Sequence, residues 1–141
     1  MRGRRTERGY AVALEAAIIL PAIVLFVALV VVLARDVLTQ QAVGAAAAQA
    51  ARAASIERTP QAARSAAESA TSAALSDSNV ECRERDVSVD AAGLRAPLGT
   101  PSRVTVSVTC VVAYDVSFPG FPVSRRMTET RASPVDTYRG R

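Results

Sequence analysis

The run from Ala16 to Ala34, AAIILPAIVLFVALVVVLA, contains no charged residue and no Asn, Gln, Ser or Thr. At about 1.5 Å of rise per residue, these roughly 19 positions cross most of a bilayer core of about 30 Å. No polar stripe recurs at a 3.6-residue spacing, so a helix here has no face meant for water. Leu, Ile and Val outnumber the small residues from Ile18 onward, which suits lipid or a tightly packed helical bundle. The segment reads as a membrane-inserted helix. The surroundings of the rest of the chain depend on the side of the membrane to which this helix delivers it.

Two residues stand out at the start of this run. Glu15 follows YAVAL and precedes the whole apolar stretch. A carboxylate at the centre of a spanning helix costs about 2.5–3.5 kcal/mol on insertion scales, and less near the interface. Glu15 either marks the headgroup boundary or pairs with a positive charge once the helix leaves the bilayer for an assembly. Pro21 removes one helical hydrogen bond and disfavours the α conformation at Leu20. Membrane helices tolerate such prolines, so a kink with no further role is the simpler reading.

The chain has 141 residues, enough for one membrane helix and one small domain. Aromatic residues make up only 4%, which rules out a large aromatic core. All 17 basic residues are Arg, and Ala and Val are abundant, the coding bias of a GC-rich genome. The net charge of +4 and pI near 9.8 are therefore poor grounds for expecting nucleic acid. No Arg cluster interleaves with aromatic residues, and no nucleic-acid motif is present. The chain has no His and only two Cys, so neither a histidine metal site nor a Ser/His/Asp or Cys/His catalytic set can be assembled. There is also no glycine-rich phosphate loop. The expectation is a protein that is not an enzyme, with no cofactor and no small-molecule substrate.

MRGRRTER places Arg2, Arg4, Arg5 and Arg8 before the apolar run against one acid, Glu7. Beyond the run, Arg35 and Asp36 cancel, and the next basic residue is Arg52. The positive-inside rule keeps residues 1–9 cytoplasmic and exports the C-terminal part. A cleaved signal peptide would share the charged start, with the Ala cluster after Val43 as its cleavage region. The apolar run is longer than the usual 7–15 residues, however, and that cluster lies about ten residues past its end.

A basic leader, Gly9, a short spacer, Glu15 and then AAIILP leading into a long apolar helix resemble the TadE-like pilus-assembly proteins. These are minor pilins or pseudopilins of tight-adherence (Flp, type IVb-related) secretion systems. The continuation LARDVLTQQAVGAAAAQAARAAS is similar to the region that comes after the family's membrane span, so the resemblance covers residues from about Arg8 to Ser55. It implies cleavage by a prepilin peptidase between Gly9 and Tyr10, and a part in subunit assembly for Glu15, Leu20 and Pro21. Glu15 and Pro21 keep the family's interval, with Leu20 before the proline. Cutting after Gly9 makes Glu15 the sixth residue of the mature chain, where the family has it fifth. The resemblance also implies partners: the membrane, the peptidase, and other pilins or tight-adherence apparatus proteins. The freed amine of one subunit would neutralise Glu15 of its neighbour as helices pack, offsetting the desolvation of both.

From Arg35 to Ile56 the pattern stays helical but turns amphipathic. Val37, Leu38, Ala45, Ala48, Ala51 and Ala54, or positions near them, are expected to form a small-residue face opposite Gln40, Gln41, Gln49 and Arg52. Gly44 is its weak point, costing about 1 kcal/mol relative to Ala. A continuous helix from Tyr10 to Ile56 would be about 70 Å long. Thr59-Pro60 reads as an N-cap with proline at the first helical position. A second helix runs from there to about Leu75, with Ala62, Ala63, Ala66, Ala67, Ala70, Ala73 and Ala74 giving a shallow apolar face.

After Asn79 the period changes to two. Val80, Cys82, Val87 and Val89 suggest a strand with a charged middle, and residues 91–102 are loop chemistry with two glycines and two prolines. Val104, Val106, Val108, Cys110 and Val112 alternate with polar neighbours in a strand expected from Arg103 to Phe118. Residues 118–122 form a turn, Val123 to Ala132 returns as a third strand, and 133–141 is expected to be a flexible tail. With export, Cys82 and Cys110 read as a disulfide; two free buried thiols are the alternative for a cytosolic domain. Closing this loop would add about 3–4 kcal/mol, a large share for so small a sheet domain. The expected fold is α+β: a transmembrane helix over 10–34, an Ala-rich stalk or hairpin over 35–78, and an antiparallel domain over 79–132.

Overall fold

The computed structural model describes residues 3–113 and 124–137, with side chains from Ala13 onward. The fold is α+β, with a long apolar N-terminal helix, a second helix and a three-stranded antiparallel sheet. The order is α1 (Gly3–Ser55), α2 (Pro60–Asp77), β1 (Glu84–Asp90), a 3₁₀ turn (Ala92–Arg95), β2 (Ser102–Ala113) and β3 (Ser124–Val135). The chain divides after Leu38 into two units.

The first unit is the apolar part of α1. Its large side chains are exposed, among them Ile18 at 66%, Leu20 at 61% and Phe26 at 66%. The helix is long and apolar enough to cross a membrane. Helical hydrogen bonding runs on through Pro21, which has no N–H to offer the Ala17 carbonyl.

The second unit is built around the last turns of α1. Val43, Ala46, Ala47, Ala50, Ala51 and Ala54 are buried, the i, i+3, i+4, i+7 spacing of one helical face. They share a continuous core with Ala63, Ala67, Ala74 and Leu75 of α2 and Val104, Val106, Val108 and Cys110 of β2. Alanine lets backbones approach closely, and the β2 valines fill the space it leaves. Thr71 lies wholly inside this core and donates from Oγ1 to the Ala67 carbonyl at 2.7 Å, so its hydroxyl is satisfied.

Each break in the chain has a local cause. Thr59 Oγ1 accepts from the Ala62 amide at 3.2 Å, and Pro60 opens α2 as the sequence suggested. At the other end Asn79 adopts φ +50°, a left-handed conformation that asparagine tolerates. The Asn79 amide then donates to the Ser76 carbonyl and the Val80 amide to the Leu75 carbonyl, each at 3.0 Å, the two bonds of a Schellman ending. The 3₁₀ turn passes so close to β2 that a Cβ on Gly93 would overlap the Arg103 carbonyl.

The sheet order is β1-β2-β3, with β2 central. Val87 faces Val108 and Val89 faces Val106; across the other side Cys110 faces Met127 and Val104 faces Ser133. The outer face is polar, and hydroxyls bond across it: Ser107 with Thr130 at 2.7 Å and Thr109 with Thr128 at 3.0 Å. Cys82 and Cys110 are joined by a disulfide with a Cα–Cα distance of 5.3 Å. It ties the segment leaving α2 to the central strand.

Several expectations need correction. The small-residue face of α1 is rotated from the one anticipated: Val37, Leu38 and Ala45 are exposed and Ala48 is half-buried. Only Ala51 and Ala54 of the expected set belong to it. In α2, Thr71 takes a core position and Ala73 is exposed. Residues 133–135 are not tail but the end of β3, where Ser133 and Val135 are buried. Pro134 is compatible with a strand here because β3 is at the sheet edge and needs hydrogen bonds on one side only. β1 begins at Glu84 rather than near Val80, and the loop after it holds a 3₁₀ turn. The continuation of β2 to Phe118 and the turn at 118–122 lie outside the described residues.

Candidate functional site

Glu15, Leu20 and Pro21 all lie on α1, and Glu15 and Leu20 are exposed. At about 100° per residue, Glu15 and Pro21 are roughly 120° apart around the helix, so they do not share a face. Among the described side chains, the neighbours of Glu15 on its own face are Ile18, Ile19 and Ala22, three, four and seven residues on, all apolar. At the membrane interface a carboxylate costs little, whereas deeper in lipid it requires a cationic partner. Gly9 and Tyr10 are within the helical span of α1, and their side chains lie outside the described residues.

The structure also assembles residues that the sequence pattern did not single out. Gln40 Nε2 on α1 donates to Glu129 Oε1 on β3 at 3.2 Å, and Arg131 Nη1 pairs with Glu129 Oε2 at 3.0 Å. Gly44 is buried beneath this pair: a Cβ there would stand 3.2 Å from Arg131 Nη2. The glycine that looked like a weakness in the helix therefore gives room for a guanidinium. Farther along, Ser133 Oγ donates to Ser55 Oγ at 3.0 Å, and Ser55 Oγ donates to the Arg52 carbonyl at 2.8 Å. These contacts fix the sheet to the last turns of α1. A signal was present in the sequence, since Glu129, Arg131 and Ser133 alternate and must share one face of a strand.

Among the described residues no group of three or more His, Cys, Asp or Glu gathers where a metal ion could be held. The described side chains also leave no buried polar atom without a hydrogen-bond partner. Two surfaces stand out among the described residues: the apolar part of α1, with Glu15 where its apolar run begins, and the small disulfide-closed sheet domain. A scan against protein-family models finds no match, and searches of curated proteins and of solved structures find none either.

Proposed function

We propose that this protein is a membrane-anchored structural subunit of the minor pilin or pseudopilin kind, acting in assembly of a tight-adherence type pilus or secretion apparatus. The observation that carries the proposal is the exposed apolar surface of α1 with Glu15 at its beginning, on a helix that continues into the domain core. In this reading the N-terminus is cytoplasmic and the sheet domain is extracytoplasmic, an environment in which the Cys82–Cys110 bond persists. A prepilin peptidase removes residues 1–9, and the new amine at Tyr10 pairs with Glu15 of an adjoining subunit. The work is helix packing, not catalysis.

A second reading comes from the spacing of Glu15 six residues after Gly9. It is a non-polymerising, membrane-anchored accessory or binding protein of the cell envelope, which keeps its leader and meets its partners through the sheet domain.

Glu15→Ala separates the two. The variant is expected to enter the membrane as well as the native chain, because removing a carboxylate makes insertion easier. It is expected to be lost from the sheared extracellular or high-mass assembled fraction. Equal incorporation of variant and native protein there would remove the pairing role of Glu15. Absence of the native chain from any assembled fraction would favour the accessory reading.

A further inference from the structure

The Cys82–Cys110 bond has one end in the core of the domain and the other at its margin. Cys110 has no exposure and belongs to the cluster that holds Val106 and Val108, with the buried Met127 opposite it on β3. Cys82 is half-buried and packs against that cluster, as do Val80 and Val112. Hydrogen bonds hold the backbone on both sides of Cys82. The Val80 amide donates to the Leu75 carbonyl at 3.0 Å, and the Arg83 amide to the Val111 carbonyl at 2.7 Å.

A thiol opens a disulfide in two steps. Its thiolate attacks one sulfur in line with the S–S bond, and the electron pair of that bond leaves on the other sulfur. A second thiolate then displaces the first, giving two protein thiols and the oxidised reagent. The first step has two directions, and the folded domain opposes both. Attack on Cys110 Sγ requires the reagent inside the apolar core. Attack on Cys82 Sγ expels Cys110 as a thiolate at a position with no exposure, and apolar burial disfavours the charged sulfur. Arg85 stands opposite Cys110 in the register, but it is exposed and its charge is screened by solvent.

We infer that this disulfide is a latch gated by opening of the domain: thiol reductants break it only in molecules whose core has opened, and the intact fold stays oxidised in their presence. The rate of reduction is then the rate for an unprotected bond multiplied by the fraction of molecules open, as long as reclosing outpaces attack. The packing of α1 and α2 onto β2 therefore sets how long the bond survives in thiol. A chain with a faulty core loses its bond, and a well-packed one keeps it.

The test treats the full chain in detergent with dithiothreitol, over a range of urea below the unfolding midpoint. Free thiols are alkylated with iodoacetamide at intervals and counted by mass. The logarithm of the reduction rate is expected to rise with urea at the slope of the equilibrium transition. Ala50→Leu, at a site with no exposure, is expected to be reduced about 5- to 150-fold faster than the native chain. Thr59→Ala should be reduced about fivefold faster, and Leu25→Ala at the native rate. If Ala50→Leu leaves the domain unfolded, Thr59→Ala carries the comparison. A rate that ignores urea, or one that is the same in Thr59→Ala as in the native chain, would overturn the latch. So would a glutathione mixed disulfide on Cys82 that accumulates while the domain stays folded, since the bond would then be open to attack in the intact fold.

Discussion

The two halves of α1 have opposite relations to their surroundings. From Ala13 to Leu38 the helix carries Ile, Leu, Val and Phe, and these large side chains remain exposed apart from the half-buried Val32. From Val43 to Ala54 it carries mostly alanine, and five of the alanines, together with Val43, have at most 1% exposure. A soluble fold would do the reverse, placing its largest apolar groups inside. The difference arises from the material each half packs against. The second half meets backbone of the same chain, where a methyl group allows close approach. The first half leaves its surface exposed, and on the proposed reading it buries that surface in lipid or against the helices of other subunits.

The largest expected effect concerns the bond that ties the segment leaving α2 to β2, in the domain built around the second half. Replacing Cys82 and Cys110 together by Ser should lower the domain's unfolding free energy by about 3–4 kcal/mol, read from a urea midpoint of the full chain in detergent. An unchanged midpoint would mean that the alanine face and β2 suffice without the bond. Next in size is an exchange across the two halves. Ala50→Leu should cost about 1–3 kcal/mol by overpacking a site with no exposure, whereas Leu25→Ala should leave the domain midpoint unmoved. Equal effects from the two changes would erase the distinction between a core half and an external half. The smallest effect tests the boundary of the domain helices. Thr59→Ala removes the cap on α2 and should cost about 1 kcal/mol, with Thr59→Ser restoring most of it.

Much of this architecture is legible in the residues, for reasons that differ along the chain. The apolar run from Ala16 declares itself because no polar side chain interrupts it. Thr59-Pro60 marks a helix start through two independent preferences, a side-chain acceptor and a missing N–H. Alternation from Val104 to Val112 identifies the central strand because its two faces meet core and solvent. The Ala-rich stretch is less readable. With alanine on nearly every side there is no contrast from which to choose the buried face, and contact with the sheet decides it. Pro134 hides the end of β3, since proline tells against a strand unless the strand is known to lie at an edge.

The candidate site is legible in another sense. Glu15 is conspicuous because of its apolar neighbours in sequence, and the structure adds that it shares a helical face with Ile18, Ile19 and Ala22. The cluster of Gln40, Gly44, Glu129 and Arg131 joins residues 89 positions apart, a distance over which no local pattern operates. Only the register of β3 against the core brings them together.

The intact mass and N-terminal residue of the protein recovered from its native membrane test the prepilin-type reading most directly. The expected chain begins at Tyr10, with Glu15 as its sixth residue and the apolar helix retained. A chain that keeps Met1 would contradict that reading and leave a simple membrane anchor. A chain beginning beyond Val43 would contradict the membrane helix of the mature protein itself.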